Sequence, residues 1–347
     1  MHVVLKREFD EDLERDWHYL ENNNDLIIFQ TFKWNKNWVE FNNIKNTLIF
    51  VVYDNRNPIA IFPFYKQKRF FLEILKWVGN DISDYLGPIL DNSSLRDKNS
   101  FDLIWKKILS KTKLECDLIY LDKLTNNKSL FFNPITSFSD CEIYNINYGI
   151  NLFEWNSVLK NKNKSIQQYR SKRKKLSLLG NFEFIDNVEN LENKKKLISK
   201  MIQWKKKTKN KKDFIDTFED KFYFDFLKNE NLSISALKLN DKYIAGILGF
   251  KFKNDYYFLL PSYEFDAETF KFSPGRVLLI DLINFLYEKK FNYFNFCDGN
   301  QAYKKEWSNE KINLRAFLKS NNLKGFCLKY LLNFKLRNNE KKTYRNS

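Results

Sequence analysis

Three apolar segments of strand length follow one another closely within this 347-residue chain, and they restrict its fold more than any other feature. The segments and the turns between them are 233–239, Asn240-Asp241, 243–252, Asn254-Asp255 and 255–263. Connections this short join antiparallel strands, because a parallel pair needs a crossover of about a dozen residues or more. The sequence therefore predicts an antiparallel meander here.

Helices and strands alternate before and after this meander. Predicted helices are 10–22, 32–42, 95–112, a basic helix at 153–179 that ends at Gly180, and 188–207. Predicted strands are two within 47–65, one near 70–78, 116–124, the run after Gly180 and the run 291–298. A further stripe, Phe214, Phe218, Phe222 and Phe226, has the spacing of a buried helix face. This order predicts an α/β (α+β) chain whose second half repeats the plan of the first.

The chain length is ample for two domains. Hydrophobic residues make up 43% and aromatic residues 17%, which supplies the material for two buried cores. We predict an N-terminal domain over 1–150, a C-terminal domain over 151–335 and a basic tail over 336–347.

The net charge of +16 raises nucleic acid or an anionic membrane surface as partners. An AT-rich genome also favours Lys, Asn, Ile and Phe codons at weakly constrained positions. We therefore attribute about half of the excess of basic residues to this codon bias. The four cysteines contain no CxxC pair, and no uncharged apolar run reaches the roughly 20 residues of a membrane span. We expect a cytoplasmic protein with reduced thiols and no metal.

The segment Phe272 to Arg276, FSPGR, lies between the last strand of the meander and an amphipathic helix. A helix N-terminus offers unpaired backbone N–H groups and the positive end of its dipole to an anion such as pyrophosphate. Gly275 permits close approach of the backbone, Ser273 can cap the helix and Pro274 suits its first turn. The alternative is a well-capped helix without a ligand.

The context of this motif resembles the CelD-type acetyltransferases of the GNAT superfamily, which are related to the FemABX peptidyltransferases. The residues that carry the resemblance are Ser273-Pro274-Gly275-Arg276, Phe294 to Asp298 with Gly299, Tyr303-Lys304 and Trp307. The resemblance is specific over 243–307 and loose before residue 150.

The resemblance implies tandem GNAT-like domains, each a mixed, mostly antiparallel sheet flanked by helices. It implies acetyl-CoA or another acyl-CoA as co-substrate, bound in the second half by Ser273, Pro274, Gly275, Arg276 and Lys304. The first half, which has no glycine loop leading into a helix, would be degenerate and would shape the acceptor cleft. One departure is that the usual phosphate loop, R/Q-x-x-G-x-G/A, is reduced to Gly275, with Lys271 in place of a well-placed Arg or Gln.

Direct attack of an amine on a thioester needs a group that takes the amine proton and a group that meets the leaving thiolate. The only histidines are His2 and His18, so a histidine base or a Ser-His-Asp triad is not expected. Asp298 is the best-placed carboxylate, with a turn residue as its alternative role. Tyr303 is the candidate proton donor, with structural burial as its alternative. Trp307 is predicted to be core.

The acceptor is expected to be a cell-envelope or glycan precursor that carries negative charge, because Arg170 and Arg173 lie in a basic cluster and Lys304 and Lys305 follow the motif. Asn300 completes the predicted acceptor site. A solvated helix face is the alternative for the cluster. Two other functions stay open: aminoacyl transfer from tRNA to a peptidoglycan precursor, and a binding module without catalysis. Peripheral contact with an anionic membrane is a further expectation.

Overall fold

The computed structural model describes residues 1–95, 98–127, 131, 133–208, 224, 226–299 and 301–345. The chain packs as two compact units, Met1–Asn147 with Ile312–Ser347, and Tyr148–Lys311. Phe214, Phe218 and Phe222 of the predicted phenylalanine stripe lie outside the described residues, and so does Asn300.

The first part of the chain contains β1 (His2–Lys6), α1 (Glu11–Asn23), α2 (Phe32–Phe41), β2 (Thr47–Asp54), β3 (Asn57–Arg69), β4 (Leu72–Trp77), β5 (Ile89–Leu90), α3 (Lys98–Thr112), β6 (Leu118–Leu124) and β7 (Cys141–Asn151). It continues with α4 (Trp155–Asn161), α5 (Asn163–Ser177), β8 (Phe182–Ile185), α6 (Leu191–Thr208), β9 (Leu232–Leu239), β10 (Lys242–Phe252) and β11 (Asp255–Tyr263). The last elements are α7 (Ala267–Phe270), α8 (Pro274–Glu288), β12 (Tyr293–Asn295), α9 (Ala302–Trp307), β13 (Glu310–Ser320) and α10 (Leu323–Arg345).

In the first unit the strand order is β1-β2-β3-β4-β6-β13, with β5 paired to β3. The β4–β6 pair is parallel and the other pairs are antiparallel. Successive residues of β2 point to opposite faces of the sheet: Phe50 belongs to the core that contains α3, and Val51 to the core that contains α1. Helices therefore cover both faces of this sheet.

In the second unit the strand order is β7-β12-β11-β10-β9-β8. Among the strand pairs described in this unit, β11–β12 is parallel and the others are antiparallel. Helix α6 packs closely on β10, where a side chain at Gly246 would meet Met201 Sδ at 2.6 Å. The predicted fold class, a mixed and mostly antiparallel sheet flanked by helices, is confirmed.

The structure corrects several predicted boundaries. The basic helix predicted over 153–179 is two helices, because Lys162 leaves the helical region with φ −117° and ψ 35° between two asparagines. The turn at Asn240-Asp241 is confirmed by positive φ at both residues. The second turn comes one residue earlier than predicted, since Asp255 already pairs with Phe252.

Strands β1, β5, β7 and β13 and helices α7, α9 and α10 were not predicted. The residues predicted as a tail from position 336 continue α10 up to Arg345. Among the described residues, no helix combines the length and the apolar character that a membrane crossing requires.

Candidate functional site

The parallel strands β11 and β12 separate after a short stretch of pairing. Their pairing covers Asp255–Tyr257 with Tyr293–Asn295, whereas β11 continues to Tyr263. The Phe296 N–H donates to the Tyr148 carbonyl at 3.1 Å, so the chain after β12 stays with β7 and leaves β11. An opening therefore begins between the two parallel strands.

The edge of β11 along this opening runs from Phe258 to Tyr263. At about 3.3 Å per residue it spans roughly 17 Å. Pro261 lies within it. Proline cannot donate to a ladder and is accommodated where a strand has an edge without a neighbour.

One end of the edge leads to the N-terminus of α8. Pro274 begins this helix as predicted. Ser273 occupies the N-cap position in the left-handed region, with φ 54° and ψ 60°, and its side chain makes no capping hydrogen bond. The prediction that the Ser273 hydroxyl caps the helix is therefore wrong, because this backbone conformation turns the hydroxyl toward the Lys172 ammonium, 2.9 Å away.

The first turn of α8 offers fewer backbone donors than its position suggests. Pro274 has no N–H, and the Arg276 N–H donates to the Ser273 carbonyl at 2.9 Å. Among the described residues, the structure shows no acceptor for the Gly275 N–H. A bound phosphate at this end must therefore rely mainly on side chains.

Gly275 packs directly against the end of β11. A Cβ at this position would lie 2.7 Å from the Tyr263 ring. The absence of a side chain at Gly275 thus has a packing reason as well as the predicted role of admitting a phosphate.

Two cations flank this helix end. The Lys172 ammonium, from α5, lies beside Ser273, and Arg276 forms an ion pair with Glu306 of α9. Glu306 also accepts a hydrogen bond of 2.7 Å from the Ser165 hydroxyl. Lys172 thus places a cation at the end of the helix where the sequence has no well-placed Arg or Gln. In the sequence it was one lysine among several in the basic helix, and nothing there distinguished it.

Asp298 lies at the other end of the edge, on the turn after β12. Its neighbours Cys297 and Gly299 both have positive φ, of 57° and 112°. Left-handed backbone at a non-glycine residue costs free energy and is concentrated at functional sites. The Asp298 side chain is exposed at this turn.

Lys304 stabilises the Asp298 turn through hydrogen bonds to its backbone. Its side chain is only 4% exposed. The ammonium donates to the Phe296 carbonyl at 2.7 Å and to the Asp298 carbonyl. The prediction that Lys304 contacts cofactor phosphate is not supported, because the buried ammonium binds the backbone of the protein instead.

Tyr303 lies near this turn, in a cluster with Phe258 and Phe296 whose ring centroids are within 6.4 Å of its own. Burial raises the pKa of the Tyr303 phenol above its ordinary value. The phenol is therefore protonated at neutral pH and suited to donate a hydrogen bond, while complete proton transfer to a thiolate is unfavourable. Trp307, predicted as core, is buried.

Arg170 and Arg173, predicted to bind the acceptor, line an open cavity along α5 and α8. Arg170 is exposed, whereas the Arg173 Nε donates to both carboxylate oxygens of Asp281 at 2.9 and 3.0 Å. Tyr169 donates to the same carboxylate. Arg173 thus forms an ion pair within the protein, whereas Arg170 remains exposed.

The Asp281 carboxylate explains why Arg173 and Tyr169 form hydrogen bonds within the protein. Burial raises its carboxyl pKa, and the hydrogen bond from Tyr169 and the charge of Arg173 oppose that rise. The sequence offered one indication, a single acidic residue within the apolar run VLLIDLINFL. A charge in such a position calls for a partner.

We expect Arg173→Gln to lower the free energy of unfolding by about 1–3 kcal/mol at pH 7, since it leaves the Asp281 carboxylate buried without its counter-charge. Adding Asp281→Asn to the same chain should recover most of the loss. Because the penalty requires an ionised carboxylate, it should shrink as the pH falls through the raised pKa of Asp281. Denaturant unfolding at several pH values measures both effects.

Arg170→Gln is the matched control, since this arginine lies on the same helix and is exposed. It should leave the unfolding free energy unchanged. If both arginine variants lower the free energy of unfolding equally, the loss comes from helix α5 itself and not from the ion pair with Asp281.

Within the described ranges of the chain there is no group of three or more His, Cys, Asp or Glu side chains arranged to hold a metal ion. The side chains that surround the opening are instead hydrogen-bond donors, a carboxylate and aromatic rings. Side chains of these kinds can bind an anion and transfer a proton.

Residues 163–305 match the protein family described as Acetyltransferase (GNAT) domain. This segment contains the β11–β12 opening, α8 and the Asp298 turn. Over these residues the chain is similar to the GNAT acetyltransferase domain. No curated protein sequence matches the chain.

Solved structures with the same fold extend over both units. FemX has 12% sequence identity and a TM-score of 0.57, with 90% of this chain and 97% of that one covered. The C-terminal domain described as that of a lysylphosphatidylglycerol synthetase from Agrobacterium fabrum has 11% identity and a TM-score of 0.56, with 92% and 94% covered. A tandem GNAT protein from the clavulanic acid biosynthesis pathway has 6% identity and a TM-score of 0.50, with 92% and 98% covered. At these identities the likeness is one of fold, and the fold is that of tandem GNAT domains.

Proposed function

We propose that the protein transfers an acyl group from acyl-CoA, with acetyl-CoA as the first candidate, to an amine or hydroxyl acceptor. The observation that carries the proposal is the opening between β11 and β12. It has a cation-flanked helix N-terminus at one end and Asp298 and Tyr303 at the other. A CoA thioester is a long molecule with phosphates at one end and the reactive carbonyl at the other, so its two ends match the two ends of the opening.

At the phosphate end, four donors are available: the Gly275 N–H, the Ser273 hydroxyl, the Lys172 ammonium and the Arg276 guanidinium. Arg276 must exchange or share its contact with Glu306 to reach a phosphate. Charge-assisted hydrogen bonds are stronger than neutral ones, which makes Lys172 the most important of the four.

At the reactive end, Asp298 would accept a proton from the acceptor amine as its nitrogen attacks the thioester carbonyl. The carbonyl oxygen becomes an oxyanion, which a backbone N–H on the β11 edge can stabilise. Collapse of this intermediate forms the amide, breaks the C–S bond and releases the CoA thiolate. The Tyr303 phenol would donate a hydrogen bond to that thiolate.

For the acceptor we propose a cell-envelope or glycan precursor such as an amino sugar. The support is indirect: FemX and the lysylphosphatidylglycerol synthetase domain share the fold, and Arg170 presents an exposed cation at the cavity along α5. The basic α5 also favours a second candidate, transfer of an aminoacyl group from tRNA. In that case tRNA binding should fall steeply with salt.

Thermal unfolding with acetyl-CoA, a longer acyl-CoA and tRNA tests the proposal. A ligand present at a hundred times its Kd adds about 2.7 kcal/mol to the unfolding free energy. We expect acyl-CoA to stabilise the protein and Lys172→Gln to weaken its binding by about tenfold, because one charge-assisted contact is lost.

Lys175→Gln is the matched control for Lys172→Gln, since Lys175 is an exposed lysine on the same helix. It should bind acyl-CoA like the wild type. Stabilisation by tRNA but by no acyl-CoA would replace acyl-CoA with tRNA as donor, and stabilisation by none of the three would point to a binding module.

A further inference from the structure

Helix α10 has two apolar faces, one packed against the first unit and one exposed. Its inward face begins at Gly325, where a Cβ would lie 1.9 Å from the Asp117 carbonyl oxygen, so the helix starts in direct contact with the backbone. Farther along, Leu336 is buried with Ala316 and Leu318, and Leu332 packs against them. This face fixes the helix to the first unit.

The outward face is apolar as well. Its large side chains are 59% to 78% exposed and recur at helical spacing: Leu323, Phe326, Tyr330, Leu331 and Phe334. A helix on a protein surface ordinarily places polar residues on this side. Five large apolar side chains along three turns form an exposed patch of the kind that marks an interaction surface.

The hairpin between β3 and β4 extends this surface. Its tip carries Phe70 and Phe71, which are 84% and 72% exposed. The Lys324 ammonium of α10 lies 6.0 Å from the centre of the Phe71 ring. The hairpin tip and the first turn of α10 are therefore neighbours within the same unit.

Basic residues border one end of the apolar surface and follow it in the sequence. Lys68 and Arg69 precede the hairpin phenylalanines, and Lys324 adjoins them, all three being exposed. The sequence of α10 beyond Phe334 contains five basic residues and one acidic residue, namely Lys335, Arg337, Lys341, Lys342, Arg345 and Glu340. The apolar surface is thus accompanied by positive charge.

We propose that the hairpin tip and the outward face of α10 together dock the protein on an anionic lipid bilayer. A helix with an exposed apolar face and basic flanks lies in the interface of such a bilayer, with its aromatic and aliphatic side chains at the acyl boundary. Lysines and arginines beside it are attracted to anionic headgroups. A second copy of the chain fits less well, because it would bring the same positive charges together. This surface shares no residue with the proposed acyl-CoA site, and the inference goes beyond the proposed function.

Co-sedimentation with vesicles of phosphatidylcholine alone or of phosphatidylcholine with phosphatidylglycerol tests the proposal. The full chain should bind the anionic vesicles at least tenfold more tightly, and added salt should reduce the difference. Lys68→Gln with Arg69→Gln should weaken binding to the anionic vesicles roughly tenfold to thirtyfold. Phe70→Ser with Phe71→Ser, and Phe326→Ser with Phe334→Ser, should each weaken it by at least tenfold.

Leu114→Ser and Phe153→Ser are matched controls, since both remove an exposed apolar side chain elsewhere in the chain. They should bind like the wild type. Because the replaced phenylalanines are exposed, all variants should unfold at the wild-type temperature and bind acyl-CoA unchanged. Equal binding by the wild type and the phenylalanine variants would overturn the proposal, and so would a dimer in solution that the α10 variant dissociates.

Discussion

Asp298→Asn is expected to lower turnover by roughly 100-fold or more while leaving acyl-CoA affinity intact, because asparagine cannot take the amine proton. The exchange keeps the size of the side chain. It also leaves the backbone carbonyl that accepts from Lys304 and the left-handed residues on either side, so the turn itself should persist. Steady-state kinetics with a calorimetric measurement of acyl-CoA binding separates the two effects.

Asp241→Asn provides the matched control, since Asp241 is an exposed aspartate in the turn between β9 and β10. It should turn over like the wild type. If Asp298→Asn also reaches wild-type turnover at every pH tested, Asp298 is a turn residue and the proton acceptor must be sought elsewhere.

Gly275→Asp is expected to abolish measurable acyl-CoA binding. It places a carboxylate next to the Gly275 N–H, where the proposed site would hold the phosphates, and the like charges repel each other. Calorimetry gives the affinity directly. The change also places a Cβ against Tyr263, so charge and steric fit must be separated.

Gly275→Ala makes that separation, since it adds the same Cβ without the charge. The Tyr263 ring must move away from the new Cβ in both variants, so both should lose a similar amount of unfolding free energy. Only the aspartate should lose acyl-CoA. Unchanged affinity in Gly275→Asp would remove α8 from the phosphate site, and equal loss in both would attribute the effect to Tyr263.

The sequence predicted correctly those elements that depend on residues close together in the chain, such as turns and helix starts. The asparagine and aspartate residues between the strands predicted the β9–β10–β11 meander, with the second turn displaced by one residue, and Pro274 marked the start of α8. Strand β13 was missed although Ile312, Leu314 and Ala316 alternate as a half-buried strand requires.

Contacts between distant residues could not be predicted in this way. Lys172 is 101 residues from Ser273, and no pattern separates it from the lysines beside it. The resemblance assigned Lys304 to a phosphate, whereas the buried ammonium binds two backbone carbonyls at the turn after β12. Arg173 was likewise treated as equivalent to Arg170, because its partner Asp281 lies 108 residues away.

The edge of β11 that borders the opening has a consequence for how the protein behaves at high concentration. A strand edge with unpaired backbone groups can recruit a strand from another molecule and so begin aggregation. Pro261 removes one donor from the middle of this edge, which interrupts the hydrogen-bond ladder that an intruding strand would need. A flexible, narrow ligand does not require an unbroken ladder. The proline thus discourages association between chains at the edge that we propose as the binding site of a small molecule.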